Sequence, residues 1–364
     1  MRTALLAASV AATHSLRPLR RALQHFRQTR PAGLWNDPGA PTYDASKPLK
    51  VCVWNVQYCA GIRQHYFYDG GDCVSTPKDE VIGGIDKIGD ALSALDADVI
   101  LLQEVDRRSS RTHKIDEFEK LRKRLPEYTC AASAAYWRVP YVPHPKNEHV
   151  GRIGMHLCTL SKYKLDDATR HQLPLLKESH VRRLFNLRRC VLETPLVNGP
   201  TLLNTHLSAF SFGDGTVQKQ VAKLRDLTKT SKQFLLAGDL NSLTPHEDAA
   251  ALAKDEAALY PETATPAAPL YVDFRIVPLW RNSEERRATY KPWTSPAPDR
   301  TIDHAFASPG ASFSGGAVAA TDGYLSDHQP VVFEVAFPSV QRHAPPAMPR
   351  AAWSGSPFVT RASE

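Results

Sequence analysis

V-I-L-L-Q-E at 99–104 is the stretch on which the fold turns. It is a short β-branched and aliphatic run ending on a carboxylate, the signature of a strand buried on one or both faces. Upstream, Ile82, Ile85, Ile88, Leu92 and Leu95 recur at three- and four-residue intervals, which predicts a helix that Asp96-Ala97-Asp98 ends. Further upstream, V-C-V-W-N-V at 51–56 repeats the strand signature, and the folded body is expected to start at about Lys50. Downstream, Ile115, Phe118, Leu121 and Leu125 predict a helix closed by Pro126, and Val217, Val221, Leu224 and Leu227 predict another. Strand-like runs recur near 155–161, 189–195, 201–206, 234–239, 301–307 and 331–336. Strands alternating with helices in this way describe a mixed α/β domain with more than one sheet.

The charge sits at the ends of the chain. The formal charge is +7, but residues 1–36 hold six Arg and no acid, and residues 340–364 hold three Arg and one Glu. That leaves 36 of the 45 basic and 37 of the 38 acidic residues in between, so the body lacks the broad basic field of a duplex-DNA binder. Six cysteines without C-x-x-C spacing argue against a zinc site and a disulfide framework, and Cys52, Cys158 and Cys190 fall inside strand-like runs as buried thiols. No apolar run is long enough for a transmembrane helix.

Residues 1–36 are expected to be a targeting or disordered arm. Leu16, Leu19, Leu23 and Phe26 share helical spacing with Arg17, Arg20, Arg21 and Arg27 around them, the pattern of a mitochondrial or plastid transit peptide. The short apolar run from Ala4 to Ala12 after Arg2 leaves a secretory signal as the alternative. Four prolines across 31–48 give a linker over 37–48, and residues 339–364 read as a disordered Pro-rich tail.

Isolated polar residues mark the strand exits. Asn55 and Glu104 close two strands, His206 follows L-L-N-T, Asp239 and Asn241 follow L-L-A-G, Asp303 follows T-I, and Asp327-His328 precedes the last strand. Taken singly, each is as well explained as a turn residue, a cap or a hydrogen-bonded core histidine. A carboxylate beside a buried strand nevertheless needs a partner or a cation, because desolvating it unpaired costs several kcal/mol. Several converging on one sheet edge make a hard-cation site, whose oxygen ligands suit Mg²⁺ or Mn²⁺.

The series W-N-V at 54–56, L-L-Q-E-V-D at 101–106, N-T-H-L at 204–207, G-D-L-N-S at 238–242, T-I-D-H-A-F at 301–306 and L-S-D-H-Q-P-V at 325–331 resembles the endonuclease/exonuclease/phosphatase superfamily, over roughly residues 49–338. The resemblance implies a four-layer α/β/β/α sandwich of two packed mixed sheets and a divalent-metal-dependent hydrolase of phosphate esters. Glu104 would be the principal metal ligand, with Asn55 and Asp327. His328 would pair with Asp303, Asp239 and Asn241 would orient water and phosphate, and His206 would donate to a non-bridging oxygen. Either Asp239 or the His328/Asp303 pair would serve as general base, and the provisional assignment is His328.

Gln57 and His206 depart from abasic-site endonucleases, which carry Asp and Tyr at the matching positions, and T-I-D-H departs from the W-x-D-R stretch of the 5-phosphatases. The leading expectation is therefore a phosphodiesterase on a lipid-linked, small-molecule or nucleic-acid diester. A phosphomonoesterase on a sugar or inositol phosphate and a non-catalytic scaffold retaining the fold are the alternatives. The loops at 62–80 and 208–215 are expected to line the substrate groove or to pack over the sheet edge, and oligomeric state is left open.

Overall fold

The computed structural model describes residues 29–277, 288–321 and 323–338. Residues 1–28 of the arm expected over 1–36, and the tail expected from 339, lie outside the described residues. In chain order the strands are β1 (Thr29–Pro31), β2 (Gly33–Asn36), β3 (Leu49–Asn55), β4 (Val99–Asp106), β5 (Cys130–Val142), β6 (Gly151–Ser161), β7 (Thr169–Gln172), β8 (Cys190–Pro195), β9 (Thr201–His206), β10 (Phe234–Asp239), β11 (Arg275–Ile276), β12 (Asp303–Ala307), β13 (Ser312–Val318) and β14 (Val331–Ala336). The helices are α1 (Lys78–Leu95), α2 (Glu117–Arg124), α3 (His180–Phe185), α4 (Thr216–Thr228), α5 (Lys254–Ala257) and α6 (Ala268–Asp273).

Two seven-stranded sheets result, in the orders β1-β7-β8-β9-β10-β12-β11 and β13-β14-β3-β4-β6-β5-β2. Strand alternation divides their side chains between an inner and an outer face. Leu49, Val51, Val53, Leu101, Leu202, Leu235 and Phe333 fill the core between the sheets. On the outer face of one sheet, Cys52, Trp54, Ile100 and Leu102 pack against Val81, Ile85, Ile88 and Leu92 of α1 and Phe118 and Leu121 of α2. On the outer face of the other, Leu203, Leu236 and Phe306 meet Val217, Val221 and Leu224 of α4 and Leu270 of α6. The architecture is the four-layer α/β/β/α sandwich, and all six cysteines are free thiols.

Pairing direction brings the strand exits together. β3 runs parallel to β4, with Asn55 opposite Gln103, and β9 runs parallel to β10, with His206 opposite Asp239. Parallel neighbours end at the same edge, so four of the polar exits share one side. β12 is antiparallel and therefore begins there, with Asp303 opposite Asp239; β14, antiparallel to β3, begins just beyond Asp327 and His328. Beneath that edge Gln103 Nε2 donates to Asn204 Oδ1 at 2.8 Å, and Asn204 Nδ2 donates back to the carbonyls of Leu102 and Cys158, joining the sheets through a buried polar bridge.

Two readings of the chain's organisation change. Residues 29–36, assigned to the arm, form β1 and β2, which pair with β7 and β5 at the edges of opposite sheets. The stretch read as a linker buries Tyr43 in the core. Edge strands this short carry no alternation to read; their backbone hydrogen bonds come from partners more than ninety residues away. β5 went unread for another reason, since its Ala-rich C-A-A-S-A-A-Y-W-R-V-P run has weak β-propensity and contains Pro140.

Candidate active site

Asn55, Glu104, His206, Asp239, Asn241, Asp303, Asp327 and His328 all lie at the edge where these strands end or begin, and six of them form one hydrogen-bonded cluster. Asn55 Nδ2 donates to Asp239 Oδ2 at 3.0 Å and lies 3.4 Å from His328 Nε2. His206 Nε2 lies 3.2 Å from the same Asp239 oxygen, and His328 Nε2 lies 3.6 Å from it. His328 Nδ1 donates to Asp303 Oδ2 at 2.7 Å, while Asp303 Oδ1 is buried without a partner. Asp239 Oδ1 accepts the backbone N–H of Asn241 at 2.8 Å, and Asn241 Nδ2 is tied to the Leu207 carbonyl.

Local backbone features place these groups. Glu104 has a φ of 59°, at a bulge where β4 slips register against β6, and the bulge turns its carboxylate out of the alternation toward the edge. Its carboxylate accepts no hydrogen bond from the described residues, and His206 Nδ1 stands 3.9 Å away. Gly238 adopts a φ of 144° before Asp239; a Cβ there would lie 1.9 Å from the Thr205 carbonyl oxygen, so only glycine allows β10 this close to β9. The S-D-H-Q loop is pinned to β3 by Trp54 Nε1 donating to the His328 carbonyl at 2.9 Å and by Ser326 Oγ donating to the Asn55 carbonyl at 2.8 Å.

Burial separates the charge states. Desolvation, with positive Arg189 and His328 nearby, pushes His206 well below its ordinary range, so it is neutral. Tyr136 Oη lies 3.3 Å from its Nδ1; the tautomer that fits accepts there and donates from Nε2 to Asp239. Both ring nitrogens of His206 are therefore engaged within the cluster. Burial opposes charge on His328 too, but Asp303 and Asp239 outweigh it and raise that imidazole to about 10. A histidine so placed holds its proton at neutral pH, which turns the provisional base into a cation. Burial raises the Asp239 carboxyl to about 6, with His328 pulling down and Asp303 pushing up.

A second group of carboxylates lies alongside. Burial raises Asp327 to about 7, with His328 opposing and Glu104 and Asp69 adding repulsion. Asp69 rises to about 6 through burial and the charges of Glu256 and Glu104. Three half-buried carboxylates repelling one another fit a cation that would relieve them. A different trio, Asp239, Asp303 and His328, brings its ligand atoms within 4.8 Å of one another, tight enough to hold a metal ion. There, however, His328 Nδ1 is already committed to Asp303.

Gln57, marked in the sequence only as a departure from abasic-site endonucleases, supports the site. Gln57 donates its backbone N–H to Asn55 Oδ1 at 3.1 Å, accepts from the Asp327 N–H, and donates through Nε2 to Tyr68 Oη, which contacts Tyr58 Oη at 2.6 Å. The aromatics of the 62–80 loop thus brace the site: Tyr66 is buried, and Tyr68 packs flat against it. No motif marks Tyr136. The left-handed backbone over Gln57, Tyr58 and Cys59 has no signal in residues that rarely adopt it.

The superfamily whose fold and polar edge this chain shares is a class of phosphoesterase and nuclease hydrolases. Within that class the chain belongs to the Endonuclease/Exonuclease/phosphatase family, whose pattern residues 52–328 match. An endonuclease/exonuclease/phosphatase from Beutenbergia cavernae superposes with a TM-score of 0.56 at 23% identity, over 80% of this chain and 72% of that one. The human Nocturnin catalytic domain, solved with a bound sulfate anion, gives 0.50 at 16% identity over 85% and 99%. A family member from Bacteroides vulgatus gives 0.50 at 15% over 80% and 99%. At these identities the likeness is one of fold. No curated protein matches the chain.

Proposed function

We propose that this protein is a Mg²⁺- or Mn²⁺-dependent phosphodiesterase. The observation that carries the reading is the buried chain Asp303–His328–Asp239, with Asn55 and His206 on the same Asp239 oxygen, open to the edge that holds Glu104 and Asp327. Glu104, Asp327 and Asn55 would hold the cation; their donors are all oxygens, and the Asp239/Asp303/His328 trio is better used as a proton-holding relay because its imidazole is already hydrogen-bonded. When bound, the metal supplies Lewis-acid stabilisation of charge on the phosphoryl oxygens.

This chain's own residues supply the rest. His328, kept protonated by Asp303, stabilises developing negative charge on the phosphoryl group or leaving oxygen. Asp239, held by Asn55, His206 and the Asn241 N–H, orients the attacking water and accepts its proton. Asn241 and His206 act through Asp239 in the described arrangement, and His206 reaches a non-bridging oxygen only by releasing its contact to that carboxylate. A diester is favoured over a monoester because it brings one negative charge instead of two to an edge already carrying five carboxylates, Asp69, Glu104, Asp239, Asp303 and Asp327.

The test is a hydrolysis panel of plasmid DNA, RNA, sphingomyelin, phosphatidylinositides and chromogenic mono- and diesters, with Mg²⁺ or EDTA and Glu104→Ala as control. Diester cleavage abolished by EDTA and by the substitution supports the reading. Cleavage of monoesters alone replaces it with the phosphatase reading, and activity on none of the substrates favours the scaffold.

A further inference from the structure

The exposed apolar surface of this molecule is unevenly placed. Of ten exposed large apolar side chains among the described residues, five belong to two connections at the catalytic edge: Val181, Leu184 and Phe185 of α3, between β7 and β8, and Phe210 and Phe212 just past His206. The connections adjoin, since Lys177 N–H donates to Asp214 Oδ2 at 3.3 Å and Gln220 Nε2 donates to the Pro174 carbonyl at 2.7 Å. Positions 181, 184 and 185 share one face of α3, and Val181 is 67% exposed. Phe212 is 61% exposed, and Phe210 and Phe212 both stand at positive φ, 56° and 43°, unusual for bulky residues. The base of their loop is fixed by Gln220, which bonds both the N–H and the hydroxyl of Ser208, and by Asp214, which accepts the Thr216 N–H. A loop anchored at its base and strained at its tip holds the two rings outward.

We propose that α3 and the 208–215 loop form an interfacial docking surface that seats the catalytic edge on a membrane displaying anionic lipid headgroups. Aliphatic Val181 and Leu184 gain nothing from stacking on a nucleobase but do gain from entering the acyl boundary. Lys177 and Arg182 are exposed in the same segment, where they complement headgroup phosphates. Trp137 Nε1 donates to the Phe185 carbonyl at 2.8 Å, one residue from Tyr136, whose hydroxyl reaches His206. The docking helix is thereby fastened beside the site, so a docked molecule would face its catalytic edge toward the headgroup layer.

Co-sedimentation of the full chain with phosphatidylcholine vesicles and with phosphatidylcholine–phosphatidylserine vesicles tests the surface without relying on hydrolysis. The wild type should pellet with the anionic vesicles in a salt-sensitive way. Phe210→Ser/Phe212→Ser and Val181→Ser/Leu184→Ser should each weaken that binding at least about tenfold, and Lys177→Glu/Arg182→Glu should remove the preference for phosphatidylserine. All three should melt like wild type and keep their turnover on a soluble chromogenic diester, if that substrate is cleaved. A wild type that stays in solution with every vesicle, or a phenylalanine variant that pellets as well as wild type, overturns the proposal. So does single-stranded oligonucleotide binding that the phenylalanine variant loses in place of vesicle binding, or a dimer in sedimentation velocity that these variants dissolve.

Discussion

His328 Nδ1 lies 2.7 Å from Asp303 Oδ2, and the other oxygen of that carboxylate is buried with no partner. The imidazole is thus held against a carboxylate with nothing else to neutralise it, and with Asp239 on its far side its affinity for a proton rises to about 10 although burial works against the charge.

If the imidazolium stabilises the reacting phosphoryl group, turnover should fall as pH rises through about 10, where His328 loses its proton. In Asp303→Asn the alkaline limb should move toward the ordinary histidine range, and kcat at neutral pH should drop by about a hundredfold. A kcat–pH profile on a chromogenic diester reads both, and an unmoved limb would count against the assignment.

Glu104 accepts no hydrogen bond and repels Asp327 and Asp69. Glu104→Gln should therefore cost at least about a hundredfold in turnover without lowering thermal stability, because it removes one charge from a repelling group. A loss of activity matched by a large fall in melting temperature would mean that the residue is structural.

The raised carboxyls make metal binding and stability depend on pH with a definite sign. Asp327, at about 7, and Asp69, at about 6, hold protons in the folded chain that the unfolded chain has released, so their contribution to stability is complete in acid and is lost as pH rises through those values. The metal-free protein should lose melting temperature across that window, and added Mg²⁺ should restore more of it above pH 7 than in acid. Differential scanning fluorimetry of wild type and Asp327→Asn, with and without Mg²⁺, measures this; the variant should show the weaker pH dependence.

Tyr136 Oη lies 3.3 Å from His206 Nδ1 in a buried setting. Tyr136→Phe would leave that nitrogen unpaired and should cost about 1–2 kcal/mol in urea unfolding. Turnover should also fall, since the tautomer that sends the His206 proton toward Asp239 would no longer be enforced.

Gly238→Ala would place a methyl group 1.9 Å from the Thr205 carbonyl oxygen at a φ of 144°. Separating β9 from β10 at the residue before Asp239 should destabilise the fold by roughly 3 kcal/mol or more, read as a lower urea midpoint or loss of soluble protein.

The identities of the site residues and most of the elements holding them were legible along the chain. The apolar runs ending on Asn55, Glu104, His206 and Asp239 are strands, and the Ile85–Ile88–Leu92 face of α1 packs as its spacing requires. Such features are local, set by which side chains recur at two- or four-residue intervals. The periodicity also misled in detail, since Ile82 is exposed while Val81 takes the buried position.

What only the tertiary structure decided depends on partners far apart in the chain. Asn55 meets Asp239 across 184 residues and Trp54 meets His328 across 274, and no local pattern encodes those meetings. Burial joined to these long-range contacts neutralises His206, protonates His328, gives Gln57 and Tyr136 their supporting places, and draws β1 and β2 into the sandwich. Composition and spacing select the residue types and the strand ends; the low dielectric of the assembled edge and the partners brought to it determine which of those residues carry charge and which hold a proton.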